Sequence, residues 1–280
     1  MKLLTNTINY QDTISIALNM NENYDKSVVF HCCWIGELNE KHFYSILSCY
    51  YFNVRNKKHK IILWLENNIP NSYNIEIEKY AEIKTFSLNN EKKDTFLENI
   101  NNLKYNNIPS FYSDIIRYLL LYKYGGIWFD LDCLFLRSLD PLFHNFSNEI
   151  CCYTWENQFY PNGAIYISLE KKSDKMKKNI EFIINRNRGW GFQEANLTFD
   201  LPLDILVLPC SWFDAAWIDN SHNITFDNFF EDTNITYSFD NFYKGAFCFH
   251  WHNRWDKEIK KTSIINQLIN IIKFNITIMV

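Results

Sequence analysis

The sequence predicts an α/β protein with a largely parallel sheet, and three observations carry that prediction. Apolar runs such as Ser27 to Cys33, His59 to Glu66 and Ile127 to Phe129 read as strands covered on both faces. Segments with helical apolar spacing alternate with them, as in strand–helix–strand units. One of these strands ends in two carboxylates, Asp130 and Asp132, where open α/β sheets carry their ligands. A chain of 280 residues that is 47% hydrophobic and 18% aromatic is long and apolar enough to bury a large core. A net charge of −4 gives no reason to propose a nucleic-acid partner. Only seven glycines and six prolines leave few linkers. A single domain over 1–280 is therefore expected, with 1–25 a peripheral N-terminal extension and 257–280 a C-terminal helix packed on the core.

In chain order, the first strand leads into Trp34-Ile35-Gly36. Residues 39 to 53 show helical spacing through Phe43, Ile46, Leu47, Tyr50 and Tyr51, and the second strand ends in Asn67-Asn68. Ala81 to Phe86 reads as a third strand and Glu91 to Ile100 as a short surface helix. Glu149 to Trp155 and Ala164 to Ser168 are two further strands, the second opened by Asn162-Gly163, a common turn dipeptide. The lysine run 171 to 178 is the wet side of a helix whose inner face is Met176, Ile180, Phe182 and Ile183. Ile205 to Pro209 is a late strand, beside which Asp204 and Asp214 read as structural acids. Ala246 to Trp255 reads as the last strand, with His250 and His252 on one face and Trp251 on the other.

The stretch from Pro109 to Asp132 organises the rest. Ser110 or Ser113 is expected to cap a helix with Pro109 at its edge. Ile115, Ile116, Leu119, Leu120 and Tyr122 form its apolar face, and Gly125-Gly126 stop it. Asp114 and Arg117, three apart, share one helix face with Ser113 adjoining; on a surface this is an ordinary ion pair. On an extended chain Asp130 and Asp132 point the same way, and two such carboxylates repel unless a cation lies between them. Hard oxygens suit Mg²⁺ and Mn²⁺. Asp-x-Asp alone is a weak signal, equally compatible with a solvated turn.

The joint pattern of Ser-Asp-Ile-Ile-Arg (113–117) and Gly-Gly-Ile-Trp-Phe-Asp-Leu-Asp (125–132) resembles the sugar-nucleotide-binding segment of glycosyltransferase family 32, and more distantly the large clostridial glucosylating toxins. The resemblance implies a GT-A fold, a Rossmann-like nucleotide-binding sheet with flanking helices and the Asp-x-Asp motif at a strand end. It implies a retaining, metal-dependent hexosyltransferase using a nucleotide sugar, with a UDP-hexose favoured over GDP-mannose. Asp114, Arg117, Asp130 and Asp132 are then the catalytic set. Trp34, Ser113, Asp114, Arg117, Trp128, Asp130 and Asn162 bind the donor, with Trp34 stacking on the base at a gain of about 1–3 kcal/mol by analogy with base–aromatic contacts. Asp130, Asp132 and His250 hold Mn²⁺ or Mg²⁺, and an imidazole in the set favours Mn²⁺. Asn68 matches a base-contacting position. The Gly-Pro signature that many members carry is absent from 189–197.

The acceptor implied is a glycan, a lipid-linked sugar or a protein side chain. A peripheral membrane contact through the C-terminal helix is an alternative to its packing on the sheet. Nucleotide-sugar hydrolysis and a non-catalytic nucleotide-sugar-binding module are the competing functions. The eight cysteines sit in apolar runs without metal-knuckle spacing, as reduced core thiols do. The first residues lack a secretory pattern, so a cytoplasmic location is expected.

Overall fold

The computed structural model describes residues 2–3, 10–21, 23–66, 69–99, 109–155, 162–185, 204–218 and 224–278. In chain order the elements are β1 (Lys2–Leu3), α1 (Tyr10–Leu18), β2 (Val29–Trp34), α2 (Glu40–Cys49), β3 (Lys60–Leu65), α3 (Ser72–Glu78), β4 (Glu82–Thr85), α4 (Leu88–Lys92) and α5 (Pro109–Tyr124). There follow β5 (Gly126–Phe129), β6 (Cys133–Phe135), α6 (Asp140–Phe146), β7 (Ile150–Tyr153), β8 (Asn162–Ser168), α7 (Asp174–Asn185), β9 (Ile205–Leu208), α8 (Ala215–Ile218), β10 (Cys248–His250) and α9 (Ile264–Ile278).

The main sheet has the order β1-β9-β7-β8-β5-β2-β3-β4. Within it only β8 runs against its neighbours, so the expected α/β architecture with a mostly parallel sheet is borne out. A second, two-stranded sheet pairs β6 with β10 antiparallel, placing His250 opposite Cys133. The chain thus leaves the main sheet at the end of β5 and enters the small one at Cys133, three residues after Asp130.

The central strand is dry on both sides. Ile127 and Phe129 join the core cluster on one face, while Trp128 joins the cluster formed with α5 on the other. Two glycines let α5 reverse directly into β5. Gly125 has φ +63°, and its N–H donates to the Leu121 carbonyl, closing the helix with a left-handed residue. A Cβ on Gly126 would sit 2.1 Å from the Val29 carbonyl oxygen, so β5 approaches β2 only because the side chain is missing. Helix α2 is capped by Asn39, whose side chain accepts from Lys41 N–H and His42 N–H while His42 Nδ1 accepts from Asn39 N–H. Ser45 and Ser48 on α2 then bond the backbone of Cys133 and Phe135, tying the small sheet to the main one.

Several expectations are corrected. Helix α5 begins at Pro109, so Ser110 and Ser113 lie within its first turns and neither is its cap. The helix expected over 91–100 is the short α4, which starts three residues earlier and ends eight residues earlier, and turns follow it. The last strand covers only Cys248–His250, and His252 and Asn253 beyond it adopt φ of +52° and +55°. The expected peripheral extension is more deeply engaged than its polarity implies: Thr13, Ile14 and Ala17 of α1 are buried, and Trp212 Nε1 donates to the Thr13 carbonyl. Helix α9 buries Ile264, Ile265, Leu268, Ile269 and Ile272 in the core. Among the described residues no helix is long and apolar enough to cross a membrane. All eight cysteines are free thiols, and all but Cys33 are buried.

Candidate active site

Asp130, Leu131 and Asp132 do not continue β5. They form a turn, with Cys133 N–H donating to the Asp130 carbonyl at 3.2 Å. The extended geometry that would aim both carboxylates the same way is therefore corrected. Each acid is anchored to a different sheet: Asp130 N–H donates to Ala164 of β8, and the Asp132 carbonyl accepts from Trp251 N–H. The side chains accordingly meet different partners.

On the main-sheet side, Arg117 Nη1 donates to Asp114 Oδ1 at 2.7 Å and Nη2 to Asp130 Oδ1 at 3.2 Å. Trp128 Nε1 donates to the same Asp130 oxygen at 2.6 Å. The guanidinium lies over the Trp128 ring, 5.3 Å from its centroid, and flat against Gly163. A Cβ on Gly163 would fall 1.7 Å from Nη1, which gives the Asn162-Gly163 pair a reason beyond turn formation. With both terminal nitrogens engaged and the residue 5% exposed, Arg117 holds the two carboxylates rather than reaching outward to a phosphate. Trp128 is buried as well, and its indole N–H is taken up by Asp130. Burial pushes the Asp114 carboxyl up to about 6 against the opposing pull of Arg117. Burial likewise raises Asp130, and the Asp132 charge adds to it. Arg117 is held protonated, because Asp130 and Asp114 outweigh its loss of water.

On the small-sheet side, Asp132 Oδ2 lies 3.2 Å from His250 Nε2 and accepts from Asn253 N–H at 2.8 Å. The other ring nitrogen of His250 meets Tyr153 Oη at 2.9 Å, with Asp214 Oδ2 at 3.8 Å. His252 stacks on His250 with ring centroids 4.0 Å apart, and its Nε2 lies 2.8 Å from Asp214 Oδ2 without hydrogen-bond alignment. Burial alone would raise Asp132, but the His250 charge and hydrogen bond outweigh it and lower the pKa. The same carboxylates outweigh burial at His250 and raise it well above an ordinary imidazole. Asp214, fully buried between the histidines, is lowered to about 2 despite desolvation. His252 is lowered, burial being the main cause.

The other expected residues are placed as follows. Trp34, half-buried at the tip of β2 beside β5, stands 4.1 Å from the His42 ring and 4.9 Å from Trp255, with Nε1 donating to the Glu37 carbonyl. Asn162 is buried, and its Oδ1 accepts from Ala164 N–H. Ser113 is half-buried on α5. Asn68 and residues 189–197 lie outside the described residues. Three residues were not legible as site members: Asp214, Tyr153 and His42. Asp214 follows Trp212-Phe213 as an isolated acid, and only the fold brings it to His250. His42, packed against Trp34 and Trp255, leaves Nε2 buried with no partner among the described residues.

This donor set suits a divalent cation. Among the described residues, hydrogen bonds engage only Oδ1 of Asp130 and Oδ2 of Asp132, leaving one carboxylate oxygen on each. Asp214, His250 and His252 each offer one ligand atom within 4.8 Å of the others, and Asp214 Oδ1 is a buried acceptor with no partner among the described residues. By ligand chemistry Asp130, Asp132 and His250 suit Mn²⁺ or Mg²⁺, while the group of three whose ligand atoms lie mutually within 4.8 Å among the described residues is one carboxylate and two imidazoles, Asp214, His250 and His252.

Residues 46–149 match the family model described as "Glycosyltransferase sugar-binding region containing DXD motif". Over 32 residues the chain is 59% identical to inositol phosphoceramide mannosyltransferase 3 of Schizosaccharomyces pombe, a match covering 11% of this chain and 9% of that protein. The solved PaToxG glycosyltransferase is similar at 17% identity and a TM-score of 0.39, over 69% of this chain and 70% of that one. The apo-form glycosyltransferase GlyE of Streptococcus pneumoniae TIGR4 is similar at 13% identity and a TM-score of 0.49, over 85% of this chain and 57% of that one. The matched segment contains α5, β5 and both acids of the turn, as well as the Arg117 clamp. Residues 46–149 of this chain are thus similar to a glycosyltransferase sugar-binding region, and Asp130-Leu131-Asp132 lies within the matched segment as an Asp-x-Asp sequence.

Proposed function

We propose that the chain is a retaining, metal-dependent glycosyltransferase that moves a hexose from a nucleotide sugar, a UDP-sugar ahead of GDP-mannose, to a saccharide-bearing or protein acceptor. One observation supports this most strongly. The motif's two acids lie at the junction of two sheets, one clamped by Arg117 and Trp128, the other paired with His250, all within or folded onto the sugar-binding region. Asp114, Arg117, Asp130 and Asp132 are all intact, which argues against a decayed binding module, since such a site has no need to keep its metal acids.

Asp130, Asp132 and His250 would hold the cation, with Asp214 and His252 behind His250. When bound, it stabilises negative charge on the departing diphosphate as a Lewis acid. Trp34 offers a half-buried ring at the end of β2 for the base. Asp114 orients sugar hydroxyls by accepting hydrogen bonds from them, with Ser113 beside it on α5 and Asn162 at the start of β8 as further donor-binding residues. Arg117 positions Asp114 and Asp130 and neutralises them in a dry setting. Fixed geometry of this kind lowers the barrier without any group having to reorganise during reaction. The leaving phosphate accepts the acceptor's proton, so no dedicated base is required.

The test is a donor screen with Mn²⁺ that follows nucleotide release with and without acceptors. Release that depends on an acceptor supports transfer, release in water alone supports hydrolysis, and no release with any UDP- or GDP-hexose contradicts the enzymatic reading.

A further inference from the structure

The small-sheet network continues outward into a group of aromatic rings that neither the fold nor the donor site requires. Trp155 Nε1 donates to Asp214 Oδ2 at 2.8 Å, so its indole is fixed to the carboxylate that lies behind His250. Trp217 stacks on Trp155 with centroids 5.5 Å apart and planes at 23°. His252 lies 5.7 Å from each of these indoles, and Phe226 closes the group at 4.3 Å from His252. Trp217 stands on α8, a helix of a single turn, and remains 44% exposed. An indole left in water gives up the stabilisation that burying its large apolar surface would bring. Here it is also the outermost ring of a stack whose inner end is hydrogen-bonded into the site.

We infer that Trp217, backed by Trp155, is a stacking platform for a sugar ring of the acceptor, which makes the acceptor a saccharide rather than a polypeptide. Three features favour that occupant. The platform is one imidazole away from His250, on the side of the motif opposite the Arg117 clamp, where a second substrate can approach without displacing the donor. Its outer ring is one exposed indole stacked on a second, which matches a single sugar ring whose C–H face meets the π cloud. Among the described residues its border carries the partly exposed edge of His252, whose imidazole can hydrogen-bond a sugar hydroxyl. His252 and Asn253 both hold left-handed backbone angles, a costly arrangement that fixes this edge between Asp132 and the platform.

This inference rests on the proposed function. In the transfer it serves, a hydroxyl oxygen of the stacked sugar bonds to the donor's anomeric carbon as that carbon's bond to the diphosphate oxygen breaks. The bonding electrons leave with the nucleoside diphosphate, which also takes the hydroxyl proton.

The test uses the full chain with Mn²⁺ and, as probes, the methyl glycosides of glucose, galactose and mannose. Saturation-transfer NMR reads binding without turnover. The protons on one face of a bound ring should receive saturation from the wild type, lose most of it in Trp217→Ala, and regain part of it in Trp217→Phe. With a working donor, Trp217→Ala should raise the KM for the saccharide acceptor tenfold or more with a much smaller change in kcat. A merely structural Trp217 would instead lower thermal stability and kcat together. Saturation equal in wild type and Trp217→Ala, or saturable transfer to a peptide but to no glycoside, overturns the platform while the donor site stands. One-face saturation with no nucleotide release from any donor supports the platform and contradicts the transferase.

Discussion

Asp130 and Asp132 are two residues apart in one motif, yet they belong to different regions of the molecule. Asp130 faces the main sheet, where Arg117 and Trp128 hold it and burial raises its pKa. Asp132 faces the small sheet, where a histidine that is itself held protonated by two carboxylates lowers it. The main-sheet region is clamped by a permanent cation on rigid elements. The small-sheet region is balanced by titratable imidazoles, His250 at the end of β10 and His252 in the turn beyond it. Under the proposed function the difference would be a division of labour, with the Arg117 side fixing donor geometry and the histidine side giving up a proton when a cation binds.

The largest effect should follow from removing the acid on the histidine side. Asp132→Ala should lower turnover by about 10³-fold or more in steady-state nucleotide release, because it takes away both a cation ligand and the partner of His250. A rate within a few-fold of wild type would assign the metal elsewhere. On the other side, Arg117→Met should act on stability as well as rate. It leaves Asp114 and Asp130 buried without their counter-ion, a change that costs about 3–5 kcal/mol when a buried pair is broken. Urea unfolding would read it, and Arg117→Lys should recover little, since one ammonium cannot fork to both carboxylates.

Gly163→Ala is a gentler probe of the same clamp. Its methyl would overlap the guanidinium, so the expected loss is about 1–3 kcal/mol, with a rate defect like that of Arg117 variants. Full stability and activity in this variant would show that the clamp tolerates displacement.

The smallest effect is one of pH. Asp114 must be ionised to accept sugar hydroxyls, and its carboxyl is raised to about 6. Donor kcat/KM should therefore rise as pH increases through about 6, and Asp114→Asn should flatten that limb. The stability contribution has the opposite sense. A raised folded-state pKa favours the neutral carboxyl, so its contribution is full below the unfolded value and fades as pH rises through about 6. Denaturant midpoints across pH 4 to 7 would show it.

Much of the main-sheet region was legible in the sequence because its signals are local. Apolar runs marked β2, β3 and β5, Gly125-Gly126 marked the reversal, and Asp114 with Arg117 fell on one helical face. The small-sheet region was legible only in part. His250 stands out by its neighbours, but Asp214 and Tyr153 reach it from 36 and 97 residues away through pairings that no local period encodes. The turn at Asp130 to Asp132 was misread as extended chain because its cause, capture of the backbone by β8 on one side and Trp251 on the other, is tertiary. The N-terminal helix was underestimated for the same reason, since its buried face is small and its partner Trp212 lies at the other end of the chain.

The most direct measurement is Mn²⁺ binding followed by electron paramagnetic resonance, in the wild type and in Asp130→Asn, Asp132→Asn and His250→Ala, each with and without UDP. A single site that tightens with UDP and is lost or weakened at least tenfold in all three variants is the expected result. Unchanged Mn²⁺ binding in Asp130→Asn and Asp132→Asn would contradict a cation held by the two acids.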